Sequence, residues 1–127
     1  MIPRYRAYDG GSLCRMYSPE EVMVGNGDIW IIDEDGVAGE WIVNNDLVLM
    51  QSTGLTDKNG KEIFEGDVVK MAKNVYSEPT YYEVARHRGG AYRLESKQYG
   101  CELWLRHADC EIAGNIYENP ELAEVSS

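Results

Sequence analysis

The sequence has 127 residues, of which 43% are apolar and 27% charged, a balance that is typical of one globular domain. Its 12 Lys and Arg and 22 Asp and Glu give a net charge of −10, which opposes non-specific binding to nucleic acid. The longest apolar runs have four residues, so no segment is long enough to cross a membrane as a helix.

The first half of the chain has short apolar runs separated by turn residues, a pattern that predicts a mostly β fold. Strands are predicted over residues 2–8, 13–17, 29–32, 39–43 and 47–51. Between them, Ser18, Pro19 and Glu21 have the spacing of a capping box with proline at the first helical position. We therefore expect one short helix near residues 19–24, which ends before the glycines at 25 and 27.

The second half contains the pair Asn59-Gly60 between two apolar runs, which predicts a β-hairpin over residues 55–64 with a type I′ or closely related tight turn. Further strands are predicted over residues 68–71, 81–86, 91–95, 101–106 and 111–117. Residues 119–124 predict one helical turn. The whole pattern predicts one domain over residues 1–127, a mostly β (β-rich α+β) fold, and a small SH3-like or related barrel with one short helix.

Three segments together carry a family resemblance. The first is Tyr5-Arg6-Ala7-Tyr8-Asp9, which Arg15-Met16-Tyr17 follows; the other two span residues 49–69 and 112–122. In this order and spacing the segments resemble the YopX family of phage and prophage proteins. The resemblance implies a phage or prophage origin, a β-rich fold and no established activity, and it supplies no catalytic residue.

Metal sites are the first alternative to a purely structural interpretation. Cys101, His107 and Cys110 are ligand types that zinc prefers, but no CxxC pair accompanies them, and a fourth ligand would have to be Cys14 or His87. The acidic turns do not complete a calcium loop: if Gly60 is its sixth position, the bidentate acid falls on a glycine. We therefore expect no cofactor and no bound metal.

Catalysis has no clear signature either. Cys14 or Cys110 with one of the two histidines is the pairing that nucleophilic catalysis would use, but no nucleophile motif surrounds the cysteines. Nothing in the sequence selects a pair from the 22 carboxylates. The expectation is a protein that is not an enzyme. The odd number of cysteines, in a chain long enough to fold without disulfides, favours a reducing, cytoplasmic compartment.

Aromatic and basic residues are interleaved between residues 73 and 106, the part of the chain in which bases outnumber acids. Such residues occur at protein interfaces and on surfaces that grip single strands. The candidate interaction residues are Arg86, Arg88, Tyr92, Arg93, Tyr99 and Trp104.

Three functions remain open at this level. The leading interpretation is a non-catalytic phage accessory protein that binds protein, either a second copy of itself or a host factor. The alternative is an acidic mimic of nucleic acid that blocks a host DNA-binding protein, with Asp33, Glu34 and Asp35 along one edge. The third is a barrel that binds single-stranded nucleic acid through residues 73–106.

Overall fold

The computed structural model describes residues 4–11, 14–32, 40–72, 80–86, 90–96 and 100–125, without the side chains of 104, 105 and 123–125. Its strands are β1 (Tyr5–Asp9), β2 (Arg15–Tyr17), β3 (Val22–Gly25), β4 (Asp28–Ile32), β5 (Trp41–Val43), β6 (Val48–Thr56), β7 (Glu62–Phe64), β8 (Asp67–Met71), β9 (Thr80–Arg86), β10 (Tyr92–Glu95), β11 (Gly100–Glu102) and β12 (Glu111–Asn115). The helices are α1 (Leu103–Arg106) and α2 (Pro120–Val125), with 3₁₀ turns at Pro19–Glu21 and His107–Asp109.

The predicted fold class is confirmed: the protein is mostly β, and a curled half-barrel sheet corresponds to the expected barrel. None of the helices among the described residues has the length and apolar character needed to cross a membrane. The chain divides into two compact units, Met1–Gln51 (unit 1) and Ser52–Ser127 (unit 2). The expectation that residues 1–127 behave as one domain stays a prediction.

Unit 1 contains two antiparallel sheets. One has the order β2-β1-β6, and in it the first residues of β6 pair with β1; the other has the order β3-β4-β5. The core of unit 1 consists of Ala7, Tyr17, Val22, Ile31 and Leu47, to which both sheets contribute. Each sheet therefore contributes residues of one face to this core.

The predicted helix near residues 19–24 is shorter than expected. Only Pro19–Glu21 is helical, and the capping box of Ser18 and Glu21 is present as predicted. Val22 already belongs to β3, where it pairs with Ile31 and is buried in the core of unit 1. Burial of this β-branched side chain in a sheet outweighs continuation of the helix.

A type I′ turn joins β3 to β4. Gly25 is directly opposite Asp28, and the two residues between them, Asn26 and Gly27, both have positive φ angles of 54° and 80°. This is the backbone geometry that an Asn-Gly pair favours in a two-residue hairpin. The sequence pattern predicts the end of a helix here, so it misses the turn.

Unit 2 contains a five-stranded antiparallel sheet with the order β11-β10-β9-β8-β12. The last residues of β6 pair with β7 in a separate ladder. One face of the five-stranded sheet carries the core of unit 2, whose largest members include Ile63, Tyr82, Leu94 and Leu103. The helix α2 packs against β9 and β12, and it confirms the predicted helical turn over residues 119–124.

The predicted strand over residues 101–106 is wrong in its second half. β11 ends at Glu102, and the chain then forms α1, which packs against β10 and β11. Leu103 is fully buried in the core of unit 2. The alternating pattern predicted the strand correctly only as far as it pairs with β10, because pattern alone does not distinguish a short buried helix from a strand.

The predicted hairpin over residues 55–64 is present, but its turn is not type I′. The Gly60 amide donates to the Asp57 carbonyl at 3.0 Å, and the Asp57 amide donates to the Lys61 carbonyl at 2.8 Å. Gly60 has a φ of 81°, whereas Asn59 does not have a positive φ. The loop is therefore a three-residue turn with glycine alone in the left-handed region.

Replacement of Gly60 by Val should lower the free energy of unfolding by about 1–2 kcal/mol, because a β-branched residue resists positive φ. Asn59→Ala should change it much less, since Asn59 has an ordinary φ. Urea denaturation of both variants measures the difference. Equal losses for the two would indicate a type I′ turn in solution.

Candidate functional site

The structure describes the side chains of three of the six residues predicted as an interaction surface. Arg86 is exposed, and Tyr92 is half-buried and packs against the core of unit 2. Arg93 Nη1 lies 2.7 Å from Glu102 Oε1, and its Nε lies 3.2 Å from Glu95 Oε1. Arg88, Tyr99 and the side chain of Trp104 lie outside the described residues.

These three residues do not share one surface. Arg86 and Tyr92 are directly opposite each other on β9 and β10, so their side chains lie on the same face of the sheet. Arg93, the next residue along β10, lies on the other face, where two carboxylates offset its charge. A phosphate would have to compete with these carboxylates, so Arg93 is a weak anchor for a single strand.

The residues considered for zinc have other roles. The Cys110 thiol is fully buried and donates to the His107 carbonyl at 3.2 Å. Burial, with the nearby Asp57 charge, raises the pKa of Cys110 to about 11, and burial also raises the pKa of Cys101. His107 Nδ1 lies 2.8 Å from the Thr56 carbonyl, an acceptor, so this nitrogen carries a proton. Both thiols are therefore poor sources of the thiolate that zinc and nucleophilic catalysis require.

Across the ranges that the structure describes, no three His, Cys, Asp or Glu side chains are grouped as metal ligands. Cys14 is exposed, and His87 lies outside those ranges. We predict that the purified protein carries well under one zinc per chain and that a chelator leaves its melting temperature unchanged. Stoichiometric zinc that is lost in Cys110→Ser would contradict this.

The acids considered for the nucleic-acid mimic are only partly described. Asp33, Glu34 and Asp35 lie outside the described residues. Glu21 pairs with Arg15, and Glu20 lies 3.6 Å from Arg4. The mimic stays a prediction; of the nine acids in residues 16–57, Glu20 and Glu21 already have cationic partners.

Asp57, which the sequence offered as part of a calcium-like loop, is a structural residue. Its Oδ1 accepts from the amides of Asn59 and Lys61 at 2.9 Å, and its Oδ2 accepts from the Ile112 amide at 3.0 Å. Burial alone would raise the pKa of Asp57, but these three amides outweigh it and hold the pKa below its ordinary value. Backbone amides thus use three of the roughly four lone-pair sites of this carboxylate, which leaves it little capacity to ligate a cation.

An exposed apolar surface lies on the β3-β4-β5 sheet, on the face away from the unit 1 core. Met23, Trp30 and Val43 occupy directly opposite positions on the three strands, and Ile32 is directly opposite Trp41. Opposite residues share a face, so these five side chains form one surface. We call this surface the apolar face.

The apolar face is accessible. Met23 is 47% exposed and Val43 is 43% exposed, and the other three side chains are half-buried. Side chains alternate along a strand, so the same strands also serve the core: Val22 and Ile31, on the other face, are 8% and 3% exposed. That face is only partly covered, because Val24 and Ile42 on it are 42% and 43% exposed. Five adjacent apolar side chains, two of them exposed and two of them half-buried tryptophans, have a composition that is common at protein interfaces.

Sequence reasoning missed this surface, although a signal for it exists. The four residues Ile29 to Ile32 are all apolar, which predicts a strand with two apolar faces. Only one of those faces is buried in the unit 1 core. The pattern alone does not show that the second face is left open.

The described chain is thus a small β protein with an accessible apolar sheet face, and two of its three thiols, Cys101 and Cys110, are half-buried and buried, respectively. A family model described as "YopX protein" matches residues 4–124, and the chain belongs to the YopX family. This confirms the resemblance found in the sequence. None of the curated proteins matches the chain.

Two crystal structures share the fold. Protein EF1440 from Enterococcus faecalis is 29% identical, with a TM-score of 0.66, and the match covers 97% of this chain and 99% of that one. Protein yopX from Bacillus subtilis is 23% identical, with a TM-score of 0.63, and the match covers 94% and 96% of the two chains. The fold therefore extends over nearly the whole of all three proteins.

Proposed function

We propose that the chain is a non-catalytic accessory protein of phage or prophage origin that binds another protein through the apolar face. The observation that carries the proposal is the exposure of Met23 and Val43 beside Trp30 and Trp41 on one sheet face. Aromatic residues and Met are enriched at protein interfaces, and Trp is prominent among the residues that dominate binding energy. Covering this face would remove apolar area from water.

The strands of the apolar face also suit a binding surface mechanically. β4 pairs on both sides, and its inner face is held by the unit 1 core. Trp30 is further fixed because its Nε1 donates to the Gly25 carbonyl at 3.4 Å. A rigid surface loses little conformational entropy when a partner binds, which favours affinity.

A cytoplasmic location in a bacterial host belongs to the proposal. The cysteines Cys14, Cys101 and Cys110 are all free thiols, which fits a reducing compartment. The phage or prophage origin is what the family resemblance implies. The partner is then either a host protein or a second copy of the chain.

Two valines provide a matched test. Val43 is 43% exposed on the apolar face, and Val48 is 39% exposed on β6, in the other sheet of unit 1. The immobilised protein is exposed to bacterial cytosol, and bound proteins are quantified for wild type, Val43→Ser and Val48→Ser. Sedimentation at micromolar concentration measures self-association of the same three proteins.

The expected result is a partner, or a dimer, that Val43→Ser weakens by about tenfold and Val48→Ser leaves unchanged, as loss of one well-packed interface side chain would do. Melting curves check that both variants fold equally well. Equal binding by both variants, or no partner and no dimer at all, would contradict the proposal.

A further inference from the structure

The part of the chain that carries the apolar face is strongly acidic. Unit 1 contains three Lys or Arg and nine Asp or Glu, a net charge of −6, and residues 16–57 contain no Lys or Arg at all. We infer that the apolar face takes a protein surface that combines apolar side chains with Lys and Arg, and not a second copy of this chain. This inference rests on the proposed function and specifies the partner.

Described acids lie at both ends of the β3-β4-β5 sheet, which carries the apolar face. Asp28 begins β4 and accepts a hydrogen bond from the Asn45 side chain at 2.9 Å, which places it next to the segment that contains Asp46. Glu40 immediately precedes Trp41, at the opposite end of β5. Glu40 and Asp46 are exposed. We call Asp28, Glu40 and Asp46 the acidic rim.

Within the described ranges, the acidic rim forms no salt bridge with Lys or Arg, unlike other acids of unit 1. Glu20 and Glu21 pair with Arg4 and Arg15, respectively. Asp28 accepts a hydrogen bond from the Asn45 side chain. Among the described residues, neither Glu40 nor Asp46 forms an ion pair with Lys or Arg. The negative charge of the rim is therefore available to an incoming cationic group.

A second copy fits this surface poorly. In a symmetric dimer the same patch faces itself, so the acidic rim of one copy would meet that of the other. Like charges brought together at an interface oppose association, whereas complementary charges raise the association rate and select the partner. A partner with Lys and Arg around an apolar centre satisfies both parts of the surface.

A pair of designed peptides tests the chemistry directly. Both are amphipathic with Leu and Trp on one face; the flanking residues are Lys in one peptide and Glu in the other. Binding to the intact protein is measured by titration calorimetry. The Lys peptide should bind at least about tenfold more tightly than the Glu peptide, and its affinity should fall as NaCl rises from roughly 50 to 300 mM.

Matched variants locate the binding. Val43→Ser should weaken the Lys peptide by several-fold while Val48→Ser leaves it unchanged, since only Val43 lies on the apolar face. Glu40→Gln should weaken it by about threefold, the effect of one exposed charge pair. Glu121→Gln removes the same charge from an exposed position on α2 and should have no effect.

The outcomes separate the inference from the proposed function. Equal affinity for both peptides, or equal effects of Glu40→Gln and Glu121→Gln, would overturn the cationic partner. A dimer in sedimentation that Val43→Ser dissociates would also overturn it, and would leave the proposed binding function standing. Peptide binding that is equally sensitive to Val43→Ser and Val48→Ser would overturn both.

Discussion

Replacement of Asp57 by Ala should lower the free energy of unfolding by about 3–4 kcal/mol, the largest loss that we expect from a single substitution in this protein. Asp57 is 4% exposed and accepts from three backbone amides. Two of these amides belong to its own turn, and the third belongs to Ile112 on β12. Alanine would leave all three donors without this acceptor, two of them within the turn and one across the unit 2 sheet.

The loss of stability should extend beyond the turn, because neighbouring contacts also attach the hairpin to the chain around β12. The Lys58 amide donates to the Cys110 carbonyl at 2.9 Å, and Lys58 Nζ lies 3.5 Å from Glu111. The hairpin is thus attached to the chain just before and within β12. Asp57→Asn should cost less than alanine, since one amide oxygen remains, but its NH₂ group would face a donor.

The contribution of Asp57 should depend on pH. Its pKa in the folded protein is below the ordinary value of 3.8, so the ionised form is favoured by folding. The stabilisation is therefore complete above pH 3.8 and is lost as the pH falls through the folded-state pKa. The difference in unfolding free energy between wild type and Asp57→Asn should be constant near neutrality and should shrink in acid.

Urea denaturation at a series of pH values measures both effects. Asp46→Asn is the matched control, because Asp46 is exposed and should change stability by less than about 0.5 kcal/mol. A loss for Asp57→Ala no larger than that of the control would contradict the structural role. If the difference in unfolding free energy between wild type and Asp57→Asn grows in acid, the direction of the pKa shift is contradicted.

The two Asn-Gly pairs show what local sequence can and cannot predict. Asn59-Gly60 correctly predicted a hairpin. The turn has three residues and an ordinary φ at Asn59, because Asp57 is hydrogen-bonded to Ile112 and Lys58 to Cys110. Asn26-Gly27 forms the type I′ turn, in a place where a helix was expected to end. Pair chemistry predicts that a turn occurs, and long-range contacts select its type.

Motif residues of the family resemblance are largely explained by backbone hydrogen bonding. Asp67 is 1% exposed and its Oδ2 accepts from the Phe64 amide at 2.8 Å, across the turn at Gly66. Asn115 Oδ1 accepts from the amides of Tyr117 and Glu118. These roles join residues close in sequence, yet only the turn at Gly66 was predicted. The turn after Asn115 falls within the strand that the sequence predicts over residues 111–117.

The apolar face was harder to predict for a different reason. Both alternating sets of residues in β4 are apolar, so the pattern is that of a strand buried on both sides. Which set is covered depends on the other sheet of unit 1, whose residues are distant in sequence. Periodicity identifies the buried face of a strand only when the other face is polar.

Gly114→Ala should lower the free energy of unfolding by about 2–3 kcal/mol, because a side chain here has no space. A Cβ at position 114 would lie 2.4 Å from Asn119 Oδ1 and 2.8 Å from its Cγ. The atoms nearest to this position all belong to the Asn119 side chain. Asn119 is itself held in place, because its backbone N–H donates to the Asn115 carbonyl at 2.8 Å.

A double-mutant cycle isolates this steric effect, and Gly25 provides the control. Gly25 lies in β3, and a Cβ added there would have no atom within 4 Å, so Gly25→Ala should be neutral or slightly stabilising. Asn119→Gly removes the obstructing side chain, so Ala at position 114 should cost at least about 1 kcal/mol less in that background than in wild type. Additive losses of unfolding free energy in the cycle would show that Asn119 is not the obstacle. If Gly114→Ala changes the unfolding free energy no more than Gly25→Ala does, no obstacle exists.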